Sequence, residues 1–189
     1  MNYCGLKKLD IANGEGLRVT LFVSGCRNRC KGCFQPETWD FNYGEPFTAA
    51  TEQIIIEALA DPSVRGLTLL GGEPMEPENQ IGLLPLLQRI KSLYPGKNIW
   101  LYTGNLYEEL AGLLGEHPKR LPITDELLSL IDILVDGRYE EDKHRLGLRF
   151  RGSENQRIID LVKTRESGRI VIWDGCSLDK QYGNTAEKE

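Results

Sequence analysis

The stretch VTLFVSGCRNRCKGC, residues 19–33, governs how the rest of the chain is read. It opens as a run of β-branched and aromatic residues, stops at Gly25 and passes straight into Cys26, Cys30 and Cys33. Apolar runs of this length read as buried strands. The same pattern, a short apolar run closed by glycine, returns at residues 66–72 (GLTLLGG), 98–104 (NIWLYTG), 131–137 (IDILVDG) and 169–175 (RIVIWDG). Strands that are apolar nearly throughout belong to parallel sheets covered on both faces.

Helical spacing fills the gaps between the first four runs. Thr48, with Thr51 as an alternative, caps a helix carrying Ile54, Ile55, Ala58 and Leu59. Pro77 and Glu78 open a second, carrying Ile81, Leu84, Leu87 and Ile90, in which Pro85 predicts a kink or a late start. Residues 106–114 and 124–130 read as two shorter helices, the latter capped by Thr124. Strand and helix alternate at roughly thirty to fifty residues, which is the rhythm of βαβ units. The expectation is one α/β domain over residues 1–189, with a core at about 10–160 and an extension at 161–189 to which no role is assigned. The last residues, LDKQYGNTAEKE, are expected to fray.

Bulk properties exclude several classes. A net charge of -5 argues against a nucleic-acid binder that relies on phosphate contacts. No apolar run approaches the ~18 residues of a membrane helix, and the N-terminus MNYCGLKKLD lacks the apolar centre of a signal peptide. A cytoplasmic location is expected, with no membrane and no nucleic-acid partner. In that compartment disulfides among the five cysteines are not expected. Cys4 and Cys176 read as free thiols, while the triplet points to metal or redox chemistry.

In parallel α/β architectures ligands bind beyond the carboxyl ends of the strands. The cysteine triplet, Gly71-Gly72-Glu73-Pro74, Thr103-Gly104-Asn105 and Asp136-Gly137-Arg138 all follow such ends. A closed zinc site needs a fourth ligand, for which Cys4, Cys176, His117 and His144 are the candidates. Thiolates also suit iron–sulfur clusters, and three cysteines leave one iron open. Gly32 removes a side chain between two ligands, and Arg27, Arg29 and Lys31 place positive charge beside an anionic group. At Gly71 and Gly72 a ligand can approach the backbone. Pro74 favours an extended Glu73, so that successive carbonyls and the carboxylate can accept from an ammonium group.

With C-x3-C-x2-C after one strand and GGEP after the next, the chain resembles the radical S-adenosylmethionine (SAM) superfamily. It is similar in particular to the activating proteins of anaerobic (class III) ribonucleotide reductase. Asn13-Gly14-x-Gly16-x-Arg18, LFVSGC, Cys30-x-Gly32-Cys33-Phe34, Trp39 and the segment 148–157 (LRFRGSENQR) carry that resemblance. It implies an incomplete, open (βα) barrel of mostly parallel strands, shorter than the ~250 residues of a full TIM barrel. It implies a [4Fe-4S] cluster on Cys26, Cys30 and Cys33, with SAM on the fourth iron and held at Gly32, Phe34, Gly71, Gly72, Glu73 and Pro74. Phe34 packs near the adenine or in the core, and Thr103, Asn105 and Asp136 are positional candidates for the ribose. No catalytic residue is expected beyond the cluster and SAM. The implied reaction is reductive cleavage of SAM, after which the 5′-deoxyadenosyl radical takes hydrogen from a partner glycine. The implied partners are the large glycyl-radical subunit of the reductase and an electron donor such as flavodoxin, with residues 138–157 as a candidate docking surface. The alternatives are an activase of the pyruvate formate-lyase type, a small-molecule enzyme such as a 7-carboxy-7-deazaguanine synthase, and a non-catalytic zinc or iron–sulfur module.

Overall fold

The computed structural model describes residues 1–175; Cys176 and the polar tail lie outside them. Seven strands form one mixed sheet: β1 (Asn2–Asp10), β2 (Leu17–Val23), β3 (Glu45–Pro46), β4 (Val64–Gly71), β5 (Asn98–Tyr102), β6 (Ile133–Asp136) and β7 (Arg157–Asp160). Their order is β3-β1-β2-β4-β5-β6-β7. The four central strands, β2, β4, β5 and β6, run parallel, while β1, β3 and β7 are antiparallel to their neighbours. The sheet does not close, since β3 and β7 stand at opposite edges.

The helices are α1 (Ala49–Leu59), α2 (Pro77–Leu93), α3 (Tyr107–Leu110), α4 (Thr124–Leu130) and α5 (Leu161–Ser167). Side chains alternate across a strand, and here the two faces differ. Val19, Leu21, Val23, Leu67, Leu69, Ile99, Leu101 and Leu134 pack in one cluster with the buried apolar residues of all five helices. The opposite face carries Trp100, Ile133 and Val135, covered by Tyr102, Phe150, Ile158 and Trp173 rather than by helices.

Arg18 also lies on that second face. It is fully buried and donates to Thr68 Oγ1 (2.6 Å), Leu67 O (2.7 Å), Asn98 Oδ1 (2.7 Å), Glu15 O (3.1 Å) and Asn98 O (3.3 Å). Trp100 lies under the guanidinium at 5.4 Å. A Cβ on Gly14 would stand 2.9 Å from Arg18 Cδ, so the loop can close over this side chain only with glycine there. The Asn-Gly-x-Gly-x-Arg motif is thus a staple between β2, β4 and β5. Burial pulls the Arg18 pKa down to about 10, still well above neutral pH. Arg18→Ala removes a desolvated charge but orphans several buried acceptors and leaves a void. A net loss of about 2–3 kcal/mol is expected in urea denaturation, and a change within about 0.5 kcal/mol, as at ordinary surface sites, would contradict the staple.

Several elements depart from the sequence expectations. Thr48 caps α1, and Thr51 is its reciprocal partner rather than an alternative. α2 begins at Pro77 and runs through Pro85, so there is no late start. Thr124 is not the cap but the first residue of α4, its hydroxyl accepting from Leu121 N and donating to Gln80 Oε1. The helix expected over 106–114 is confined to Tyr107–Leu110. Residues 169–175 form no strand; one antiparallel bridge joins Ile172 to Ile159, and Trp173 packs on Trp100 with ring centres 5.2 Å apart.

Candidate active site

The ends of the four parallel strands open on one cavity of about 510 Å³. Cys26, Cys30 and Cys33 line it, together with Gly71, Gly72, Thr103, Gly104 and Gly137. The loop after β2 is tied down on both sides. Gly25 N donates to Thr38 O (2.8 Å) and Cys26 N to Trp39 O (3.3 Å), so the short turn Pro36–Trp39 folds back beneath the first cysteine. Cys33 N donates to Cys30 O (3.2 Å). Cys26 is buried, and burial followed by the charge of Glu73 pushes its thiol up to about 11. Burial raises Cys30 as well, against the lowering pull of Arg138.

Gly71 and Gly72 are needed because another main chain lies against them. A Cβ on Gly71, at φ +108°, would meet Val23 O at 2.6 Å, and one on Gly72 would meet Gly25 O at 2.7 Å. This closeness lets Gly72 N donate to Val23 O (2.7 Å) and Glu73 N to Gly25 O (2.9 Å), locking the two loops together. Glu73 does not line the cavity, and neither do Pro74 and Gly32. With 1 % exposure, Glu73 accepts from Met75 N (2.9 Å), Gly104 N (2.8 Å) and Asn28 Nδ2 (2.8 Å). Its carboxylate therefore braces three loops from below. Gly32 faces the Glu141 carboxyl group.

The expected positive charge around the triplet is largely cancelled. Arg27 pairs with Glu76 and Glu78, both at 2.6 Å, and Lys31 with Glu141 at 3.5 Å. Asp136 is likewise unavailable to a ribose: it is buried, pairs with Arg157 and accepts from Tyr107 N (2.8 Å). Thr103 lines the cavity, while Asn105 turns to the Thr103 hydroxyl at 2.8 Å.

The opposite wall is built by residues 137–156. Gln156 Oε1 accepts from Gly152 N (2.7 Å) and Ser153 N (3.1 Å), and Nε2 donates to Gly137 O (2.9 Å). Asn155 Nδ2 donates to Arg138 O (2.7 Å), and Arg151 to Gln156 O (2.8 Å). The RGSENQR stretch is thus a self-bonded loop, and its basic residues are less free for docking than the sequence suggests. Arg157 pairs inward with Asp136 and Glu108, Lys143 with Glu140, and Arg145 with Glu154. At the rim, Phe34 is 71 % exposed and lies 5.1 Å from Tyr139 and 6.2 Å from His144 between ring centres. It is a rim aromatic, not a core one.

Sequence reasoning missed Asn28, Glu76, Gln80 and Lys119. Asn28 and Glu76 adjoin the two motifs, which is a usable signal. Lys119 reaches Asn28 across 91 residues, and no local pattern marks it.

Residues 12–159 match a family described as a 4Fe-4S single cluster domain. Anaerobic ribonucleoside-triphosphate reductase-activating proteins of Pasteurella multocida and Escherichia coli are each 42 % identical to the chain over 158 residues. The match covers 82 % of this chain and 95 % and 96 % of theirs. The protein of that name from Enterobacteria phage T4 is 37 % identical over 158 residues, 84 % of this chain and 93 % of its own. The chain belongs to the family of anaerobic ribonucleoside-triphosphate reductase-activating proteins.

The donor set fits the cluster that this family's matching domain is described by. Three thiols stand on one loop, and among the described residues no three Cys, His, Asp or Glu side chains converge as ligands of a single ion would. A cluster places each thiolate on a different iron, so its ligands stand farther apart than those of a single ion. Of the candidate fourth zinc ligands within the described residues, only His144 lines the cavity, and its Nδ1 lies 3.0 Å from Gly152 O. Two further lining residues, Trp39 and Tyr102, carry buried polar atoms with no partner among the described residues. Among those residues no helix is long and apolar enough to cross a membrane.

Proposed function

We propose that the chain is a radical SAM activase: it holds a [4Fe-4S] cluster on Cys26, Cys30 and Cys33, binds SAM, and generates a glycyl radical on the large subunit of an anaerobic ribonucleotide reductase. The observation that carries this reading is the shared cavity. The three thiols, the Gly71-Gly72 backbone and the rim aromatic Phe34 all open on it. Its volume lies within the ~300–1,000 Å³ of small-molecule sites. When bound, the reduced cluster supplies the electron that cleaves the sulfonium and yields a 5′-deoxyadenosyl radical.

The protein's own part is binding, orientation and exclusion of solvent. The Gly71-Gly72 backbone offers a surface for the methionine end of SAM, with Glu73 positioning it from beneath. Phe34, Tyr139 and His144 offer an aromatic edge for the adenine. The unclosed sheet is read as a partial barrel, its open side admitting a loop of the partner. Leu146, on the wall segment, is 96 % exposed and is offered as a contact for that partner. An electron donor such as flavodoxin would reduce the cluster.

The test is anaerobic: reconstituted, chemically reduced protein is mixed with SAM, and 5′-deoxyadenosine and methionine are quantified. Both products are expected, and only in the presence of iron and sulfide. About four irons per chain without SAM cleavage would reject the activity while keeping the cluster.

A further inference from the structure

Lys119, in the segment between α3 and α4, buries its ammonium beneath the cysteine loop. It is 9 % exposed, with Nζ 2.7 Å from Asn28 Oδ1, 3.0 Å from Glu76 Oε1 and 3.9 Å from Glu73 Oε2. The backbone behind it is fixed too. Gln80 Nε2 donates to Lys119 O at 2.6 Å, and Gln80 Oε1 accepts from the Thr124 hydroxyl at 2.6 Å. Burying a lysine costs side-chain entropy and hydration, so this cation persists only because two buried carboxylates and an amide receive it. Asn28 lies between two of the cysteines, and its side chain bridges Lys119 to Glu73.

Charge bookkeeping singles Lys119 out. Glu73 and Glu76 are both buried. Arg27 meets Glu76 from the exposed side, where Glu78 shares it. Lys119 is therefore the buried cation that offsets two buried carboxylates directly under an anionic site.

We infer that Lys119 is a positioning residue for the cluster site: it fixes the cysteine loop through Asn28 and offsets the carboxylate charge there, so that the cluster is easier to reduce. The inference rests on the cluster reading above. Cluster potentials respond to local charge and hydrogen bonding, and a buried cation is poorly screened.

The test compares wild type, Lys119→Arg, Lys119→Met and Lys119→Met combined with Glu76→Gln. Iron and sulfide are counted first, then the midpoint potential is measured by redox titration without SAM. Lys119→Met is expected to make reduction at least tenfold less favourable, a fall of about 59 mV for a one-electron couple. Lys119→Arg keeps the charge and holds near the wild-type potential, and the double variant, with one carboxylate neutralised, recovers most of the loss. If Lys119→Met sheds its iron while the double variant keeps it, the charge role is equally supported. Full iron content with an unmoved potential in Lys119→Met would overturn the inference, as would a double variant that keeps its iron yet recovers none of the lost potential. A wild type that takes up no iron would overturn the cluster reading itself, and the inference with it.

Discussion

Replacing Cys26, Cys30 or Cys33 by alanine is expected to abolish SAM cleavage and strip the protein of iron and sulfide. Among the described residues the three thiols are the only cysteines that line the cavity, and Cys4, on β1, is not among its lining residues. If each thiolate holds its own iron, as proposed, removal of one would leave only two protein ligands to hold the cluster. No neighbouring described cysteine can replace the lost one. Cys4→Ala should therefore keep both cluster and cleavage, and the same is expected of Cys176→Ala from its reading in the sequence as a free thiol. Iron and sulfide counts with product analysis on the five variants check the pattern. Wild-type cleavage in any triplet variant would remove the cluster assignment.

Glu73→Ala is expected to damage stability and SAM binding together. The carboxylate is an acceptor for Met75 N, Gly104 N and Asn28 Nδ2, and lies 3.9 Å from Lys119. Each buried donor left unpaired costs about 1–3 kcal/mol, and a buried charge network broken on one side about 3–5 kcal/mol. These terms overlap, so a loss of about 3–5 kcal/mol in urea denaturation is the expected total. Because Gly104 and the cysteine loop frame the cavity, SAM affinity should fall at least tenfold, about 1.4 kcal/mol. Glu73→Gln keeps the shape and one acceptor oxygen and should lie between the two. A stable Glu73→Ala protein with normal SAM affinity would mean that the brace is dispensable.

The strands that position the cavity were legible because a buried parallel strand needs an apolar run and a turn that frees the chain, and both leave marks. The runs ending at Gly25, Gly72, Gly104 and Gly137 all meet at the cavity or beside it. β1 was missed because NYCGLKKLD is half-exposed and carries two lysines, the signature of a strand near an edge. β7 escaped because RIID has only four residues, and its pairing with β6 is fixed by tertiary contact. The run RIVIWDG misled for the opposite reason: it meets β7 at a single bridge, Ile172 to Ile159, and its Trp173 packs on Trp100 and Phe150. At the site, cysteine spacing picked out three thiols that line the cavity, while the Glu73 carboxylate, expected to face a ligand, is turned to Met75, Gly104 and Asn28. No sequence pattern can show which side of a loop a carboxylate faces when its partners come from residues 28, 104 and 119.

On the reading proposed above, a partner glycine enters this cavity and gives up a hydrogen atom there, so that the radical ends on the partner. The direct measurement is electron paramagnetic resonance under anaerobic conditions, with reduced, reconstituted protein, SAM and the large reductase subunit from the same source. A glycyl-radical doublet that disappears when any one component is omitted is expected. An intact cluster that cleaves SAM yet never yields the doublet would contradict the partner, and an intact cluster with neither product nor doublet would contradict the chemistry.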